Sequence, residues 1–427
     1  MTKPMYIAAV LTALAIPHGA SGETLWVTGT DKVGAYDVQT GREVASFDLP
    51  GRTADLHVLP NGHVVLNYRA KAELVLFDTT SRKEVARLPS SRMGGVNPHH
   101  GYLLKTSGSL LYVVGNDGEN AASDSTLSLF RVVSNAPGLE YAGEIRLGAG
   151  HHKIAHFPGE DWISVSNIND CGNVIQVIDI TNPAAPKTIR SIGAKDIGYD
   201  GTGPDKTCDA SGKAGRRLTP HGAGATGQFH VHNLNATGQM VVVRRDGRVL
   251  VLQSAGTGGA SAVATKDGKL YMTQFSPRNG SGTSPGKACQ IGQLLAISSA
   301  GTEFEQIPVL KDKDCTEKPS GARLGYVSMM PDGETLLLPL ATLGSDADPV
   351  ALLARVKVGA SGLAQLSSLE IGKNLGHRDH AWTTDGKLFA FPNNKDDSVS
   401  IVGTAEGKVV KTISVVPAPL RVALSKP

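Results

Sequence analysis

The fold this sequence predicts is an all-β chain closed into a single β-propeller. Three observations predict it. From Glu23 onward, apolar runs of four to seven residues alternate with Asp-Gly, Asn-Gly or Ser-Gly dipeptides, and no long segment carries a helical period. Gly is abundant at 50 residues and aromatics make up only 5%, which suits many short strands joined by tight turns. One histidine position also recurs. In a gapless overlay His99-His100 falls on His151-His152, and Leu111–Val114 falls on Ile163–Ser166. Matching hydrophobic strands then puts His377 on the same position.

The most regular unit is Asp385-Gly386 with Leu388–Phe391, then Asp397–Val402 and Lys408–Ile413, after a preceding strand. That is one four-stranded blade. The unit recurs after Asn61-Gly62, Asp267-Gly268 and Asp332-Gly333, and in the segments that open at His99 and His151. A shorter unit runs from Phe229 through Met240–Val243 to Val249–Leu252. At the N-terminus Leu25–Val27, Val33–Asp37 and Glu43–Phe47 lack an innermost strand, and Leu420–Leu424 is a lone strand of the right kind. Pairing the two ends closes the ring and removes exposed sheet edges. The count is eight blades. Seven is the alternative, because the Phe229 unit is thin and the 194–228 stretch is irregular. Long insertions are expected at Asp196–Gly227, Ser276–Gln290, Lys311–Arg323 and Ser345–Pro349.

Residues 1–22 read as a secretory signal: Lys3, the apolar run Met5–Ile16, then Ala20-Ser21-Gly22. Residues 23–427 then form the exported propeller domain, without membrane insertion, since no other apolar run approaches the roughly 18 residues a span needs. The formal charge of +3 carries no basic cluster, which argues against nucleic acid, and a monomer is expected. The four cysteines, Cys171, Cys208, Cys289 and Cys315, are even in number in an exported chain, so two disulfides are expected. Three pairings exist; Cys171–Cys208 with Cys289–Cys315 would staple the two longest irregular insertions.

Histidines are the candidate ligands. His100, His152 and His377 lie eleven residues before the second strand of their units. His57, His156, His232 and His380 lie seven or eight before theirs, which makes two tiers roughly 10 Å apart at about 3.3 Å rise per residue. His221 and His230 precede the same unit as His232, and His99 and His151 complete the two His-His pairs. Neutral imidazole is a good zinc ligand, and three or four with a carboxylate fill a tetrahedral shell. Asp379 and Asp55 are nearby carboxylates that would ligate or orient an imidazole. One tight site is expected from among His100, His152, His156, His377 and His380, and a weaker one from among His57, His221, His230 and His232. The residues themselves leave zinc (Zn2+) and copper both open, since imidazole sites favour Cu2+ in raw affinity.

Pro98-His99, Pro220-His221-Gly222 and Thr384-Asp385-Gly386-Lys387 resemble the YVTN type of propeller. With its signal, four cysteines and grouped histidines, the chain is similar to the periplasmic zinc metallochaperones of the AztD type, which partner AztABC importers. That resemblance implies zinc binding in the periplasm. It also implies delivery, by ligand exchange in a docked complex, to the solute-binding protein of an ABC zinc importer. Catalytic residues are not implied. A metal-dependent propeller enzyme using copper or zinc, with Glu160, Asp161 or Asp379 as base, is one alternative. A metal-free protein-interaction scaffold is the other.

Overall fold

The computed structural model describes residues 22–135, 137–199, 219–234, 238–254, 261–275, 290–311, 323–324, 326–330, 332–343, 350–359, 362–373, 380–383 and 385–426. The expected signal before Gly22, together with His377, Asp379, Cys208, Cys289 and Cys315, lies outside them. Cys171 is disulfide-bonded.

Eight antiparallel sheets form a ring, a β-propeller of eight blades with two short 3-10 turns and no longer helix among the described residues. The eight-blade count holds. The innermost strands are, in blade order, Arg421–Ser425, Leu56–Leu59, Asn97–Lys105, His151–Ala155, Pro220–Ala225, Ala262–Ala264, the pieces Arg323–Leu324 and Ser328–Met329, and Ala381–Trp382. Ring closure is as expected from the two ends: Thr24–Thr28 pairs antiparallel with Arg421–Ser425, Trp26 opposite Ala423. The Trp26 indole N–H donates to Ser425 Oγ at 3.0 Å across that seam.

Alternation along each strand builds the ring. In the second strand of blade 2, Val64 and Leu66 face blade 1 and pack with Trp26, Val33 and Phe77. Val65 faces the other way, against Tyr112, Val114 and Phe130 of blade 3. Successive strand side chains point to opposite faces, so a strand buried on both faces reads as a continuous apolar run. Eight such clusters are described, one at each interface between blades. Each buried Val, Leu or Phe side chain contributes about 1.5–3 kcal/mol.

Blade 5 corrects one expectation. His230–Leu234 is its second strand and Gln239–Val243 its third, so His230 and His232 are not on the innermost strand. The innermost strand is Pro220–Ala225, inside what the sequence marks as an irregular insertion. Its PHGAGA run carries no apolar alternation because neighbouring backbones crowd it: a Cβ on Gly224 would lie 2.3 Å from the Ala262 Cβ of blade 6.

Candidate metal centre

Three adjacent innermost strands break their ladders at a histidine. In blade 3 the register runs Pro98 opposite Asn116 and then His100 opposite Gly115, leaving His99 without a cross-strand partner. In blade 4 it jumps from His151 to Ile154 and skips His152 and Lys153. In blade 5 it jumps from Pro220 to Gly222 and skips His221. A β-bulge re-aims the side chain of the extra residue and is over-represented beside functional sites. Here all three bulges open at the starts of the strands, and successive innermost strands lie side by side around the ring. The bulged rings therefore converge on one end of the axial channel.

Five imidazoles meet there. The His99 ring stacks on His100 with centroids 4.2 Å apart, His100 on His152 at 4.8 Å, and His221 meets His152 edge-on at 4.4 Å. His151 meets His100 edge-on at 6.1 Å. His99, its side chain 29% exposed, and His221 are half-buried, whereas His100, His151 and His152 are buried. Gly115 makes the room: a Cβ there would sit 1.8 Å from His151 Nε2.

A hydrogen-bonded relay fixes the protons. Asp55 accepts from Arg421 Nε, from the Gly101 N–H and from His100 Nδ1, each at 3.1 Å. Burial works against the Asp55 charge, but the hydrogen bond from His100 and the charge of the Arg421 guanidinium hold its pKa well below the ordinary carboxylate range. His100 is nonetheless neutral, because burial and the Lys153 charge push its pKa far down. Its bond to Asp55 is thus the N–H of a neutral ring, not an ion pair. His100 Nε2 then carries a lone pair and accepts from His152 Nδ1 at 2.9 Å, which leaves the His152 Nε2 lone pair without a proton. Burial, then His100 and His221, likewise drive the His152 pKa well down.

Asp117 is the second carboxylate. Its oxygens lie 3.5 Å from His99 Nδ1 and 3.9 Å from His151 Nδ1, with Arg69 at 3.9 Å. Burial raises its pKa, and His151 and His99 lower it further than that, so it stays ionised. At 3.9 Å the His151 contact is electrostatic and not a hydrogen bond: both ring nitrogens of His151 are buried without a hydrogen-bond partner. Buried polar atoms without partners are rare, and each needs a reason. Among the described residues, no three His, Cys, Asp or Glu side chains are already gathered as a coordination shell. The hydrogen bond between His100 and His152 occupies two of the donor atoms.

The other expected ligands lie elsewhere. His156 does not join His152: four residues on, it lies about 13 Å along the same strand and bonds the Glu160 carbonyl at 3.1 Å. His230 bridges Glu160 Oε2 at 3.1 Å and Ser164 Oγ at 2.9 Å, stacked on Trp162 at 3.6 Å; His232 reaches the same hydroxyl at 2.7 Å. Carboxylate, imidazole and hydroxyl stand in series here, as in acyl-transfer enzymes. Ser164 and His230 are fully buried, however, so no substrate reaches that oxygen. His57 packs edge-on against Tyr112 at 5.7 Å, beside Asp55 but apart from the five. His380 meets Ser328 and packs on Phe389.

The sequence reading passed over Asp117, Lys153, Tyr326 and Arg421. One signal was available. Neighbouring residues of a regular strand face opposite ways, so a His-His pair with both rings in one cluster requires a bulge.

No family model matches the chain, and no curated protein matches it. Solved structures share its fold. Apo AztD from Citrobacter koseri superposes with a TM-score of 0.54 at 13% identity, over 94% of this chain and 97% of that one. The Pseudomonas aeruginosa periplasmic gluconolactonase PpgL gives 0.54 at 13%, over 95% and 99%. The dihydro-heme d1 dehydrogenase NirN in complex with DHE gives 0.58 at 15%, over 94% and 75%. At such identities the likeness is one of overall fold alone, and the eight blades are read from this chain's own sheets.

Proposed function

We propose that this protein is a periplasmic zinc-binding metallochaperone that passes Zn2+ to the solute-binding protein of an ABC zinc importer. The observation that carries the reading is the convergence of bulged histidines from three adjacent blades, His99, His152 and His221, on the His100–His152 pair. Two nitrogens bound to one tetrahedral zinc at about 2.0–2.1 Å lie roughly 3.3 Å apart. His100 Nε2 and His152 Nδ1 stand 2.9 Å apart, so metal entry takes a few tenths of an ångström, the loss of the shared proton and a rotation of the rings that turns both lone pairs onto the metal. The relay through Asp55 and Arg421 orients the donor, as carboxylates behind metal-bound imidazoles do.

Zinc is cargo here, and the partly exposed His99 beside Asp117 is the point where an incoming ligand from the acceptor would enter the shell. The AztD neighbour and the signal-like residues 1–22 support the periplasmic setting. Disulfides Cys171–Cys208 and Cys289–Cys315 belong to the same reading. His377 and Asp379 stay candidate ligands.

The test is metal analysis of the purified protein, followed by competition with a zinc chelator, in the native chain and in a His99→Ala/His152→Ala/His221→Ala variant. The expected result is one zinc per chain and at least a 100-fold loss of affinity in the variant. Full affinity in the variant removes this site. Preferential copper retention would reassign the metal.

A further inference from the structure

Two apolar side chains stand exposed at the mouth of the histidine centre, and the metal reading does not use them. Met93 is 39% exposed and Val96 42%, in the loop 90–96 that leads from the last strand of blade 2 to the first of blade 3. His99 follows three residues after Val96 and is half-buried. Singly exposed apolar residues are ordinary. The other large ones among the described residues, however, all lie within strands, and these two alone in a loop.

The loop is held in place. Glu144, on the outermost strand of blade 3, accepts from the Ser91 hydroxyl, from the Arg92 N–H at 2.7 Å and from the Met93 N–H at 3.2 Å. Ser91 Oγ in turn accepts from the Gly95 N–H at 2.9 Å, and the Val96 N–H donates to the Asp117 carbonyl at 3.0 Å. The Arg92 guanidinium lies over the Tyr141 ring, 4.0 Å from its centroid. Gly95 is pressed against blade 3: a Cβ there would lie 2.5 Å from the Asn116 Cβ. A loop already ordered presents its side chains to a partner at little further ordering cost.

Three cations share this end of the ring. Arg52, Lys71 and Arg92 are exposed, and no carboxylate among the described residues forms an ion pair with any of them. Backbone bonds join their loops: the Ala70 N–H donates to the Arg52 carbonyl at 3.0 Å, and the Ser90 N–H to the Ala72 carbonyl at 2.9 Å. Arg69 links them to the metal strand, its Nε donating to Asn97 Oδ1 at 2.5 Å. Asp31 is held by the Gly51 N–H at 2.6 Å, and the exposed Glu119 and Asp124 belong to the blade 3 turn. Unpaired charge on a rim steers an oppositely charged partner and sets its orientation.

We propose that the 90–96 loop, with Met93, Val96 and the cations Arg52, Lys71 and Arg92, is the docking surface for the zinc-accepting solute-binding protein, which meets it with an apolar contact bordered by acidic side chains. This rests on the metallochaperone reading: the surface adjoins His99, the ring at which an incoming ligand enters the shell. A membrane fits less well, because lipid on this rim would cover the same mouth.

The test is the rate of zinc transfer. The zinc-loaded native chain, Met93→Asp/Val96→Asp and Arg52→Glu/Lys71→Glu/Arg92→Glu are each mixed with the zinc-free solute-binding protein of the same cell's ABC zinc importer, and separately with EDTA. Both variants should hand zinc to the protein about ten-fold more slowly than the native chain, while zinc affinity and loss to EDTA stay native. The deficit of the charge variant should shrink in high salt, and that of the apolar variant should not. Native rates in both variants overturn the surface, and so does an equal slowing toward EDTA, which places the effect at the metal. If the native chain itself delivers zinc to the protein no faster than to EDTA, the metallochaperone reading falls and the surface with it. Binding to phosphatidylglycerol vesicles that the variants abolish, with transfer to the protein unchanged, gives the surface to a membrane and overturns the proposal.

Discussion

Acid should unfold this ring through its histidines before its carboxylates. His100, His152, His230 and His232 are all buried, and desolvation first of all pushes each pKa below the ordinary 6.5, that of His232 to about 3. The unfolded chain binds these protons near 6.5 and the folded chain does not. Stability therefore rises with pH through the window between the folded and unfolded values, is complete above about 7, and is lost as pH falls below 6.5. Lowering pH from about 7.0 to 5.5 costs about 1.3 kcal/mol for each histidine that stays neutral in the fold, hence about 5 kcal/mol for the four. Glu160 offsets a fraction of this, since burial raises its pKa and it gains a proton in the folded state. Asp55 and Asp117, both held low, weaken the fold only below about pH 4, the unfolded carboxylate range. Urea unfolding of chelator-treated protein, followed by tryptophan fluorescence at steps between those two pH values, measures the slope. His232→Gln should lower that slope by about 0.9 kcal/mol per pH unit averaged over this window, the share of one histidine. A flat stability profile, or an unchanged slope in the variant, refutes the reasoning.

Two substitutions probe the centre itself. Gly115→Ala places a methyl where His151 Nε2 now lies, 1.8 Å from the new Cβ, so the ring must move. A loss of about 1–3 kcal/mol in stability is expected, the range for an overpacked site, together with weaker zinc retention; a chemical melt and a chelator competition read both. Asp55→Asn leaves Arg421 half-buried and without its ion pair and frees the His100 tautomer. Stability should fall by about 3–5 kcal/mol and zinc affinity 10- to 100-fold, so an Asn variant with native affinity would disconnect the relay from the metal.

The blade repeat was legible because a strand buried on both faces writes itself as an apolar run between turn dipeptides. The seam at Leu25–Val27 and Leu420–Leu424 was legible for the same reason. Pro220–Ala225 was not, since small residues forced by contact with blade 6 erase the alternation. The grouping of histidines was readable only by half. Counting along the chain placed His100 with His152, and they do touch. The same count set His156 a tier away from them, as the fold has it, although the expected tight site had included it; His221, open to either tier by the count and given to the weaker site, joins them.

By itself, then, the sequence determined an all-β ring of eight blades, its closure by the two ends, and a set of histidines at repeating positions. Those follow from side-chain period and turn chemistry, which are local. Which imidazoles meet was decided only by tertiary structure. A single bulged residue turns a side chain from one face of a strand to another, and the ring's curvature sets which neighbouring strand it then finds. The bulges at His99, His152 and His221 leave no break in the apolar pattern, and which rings then meet depends on contacts between neighbouring blades.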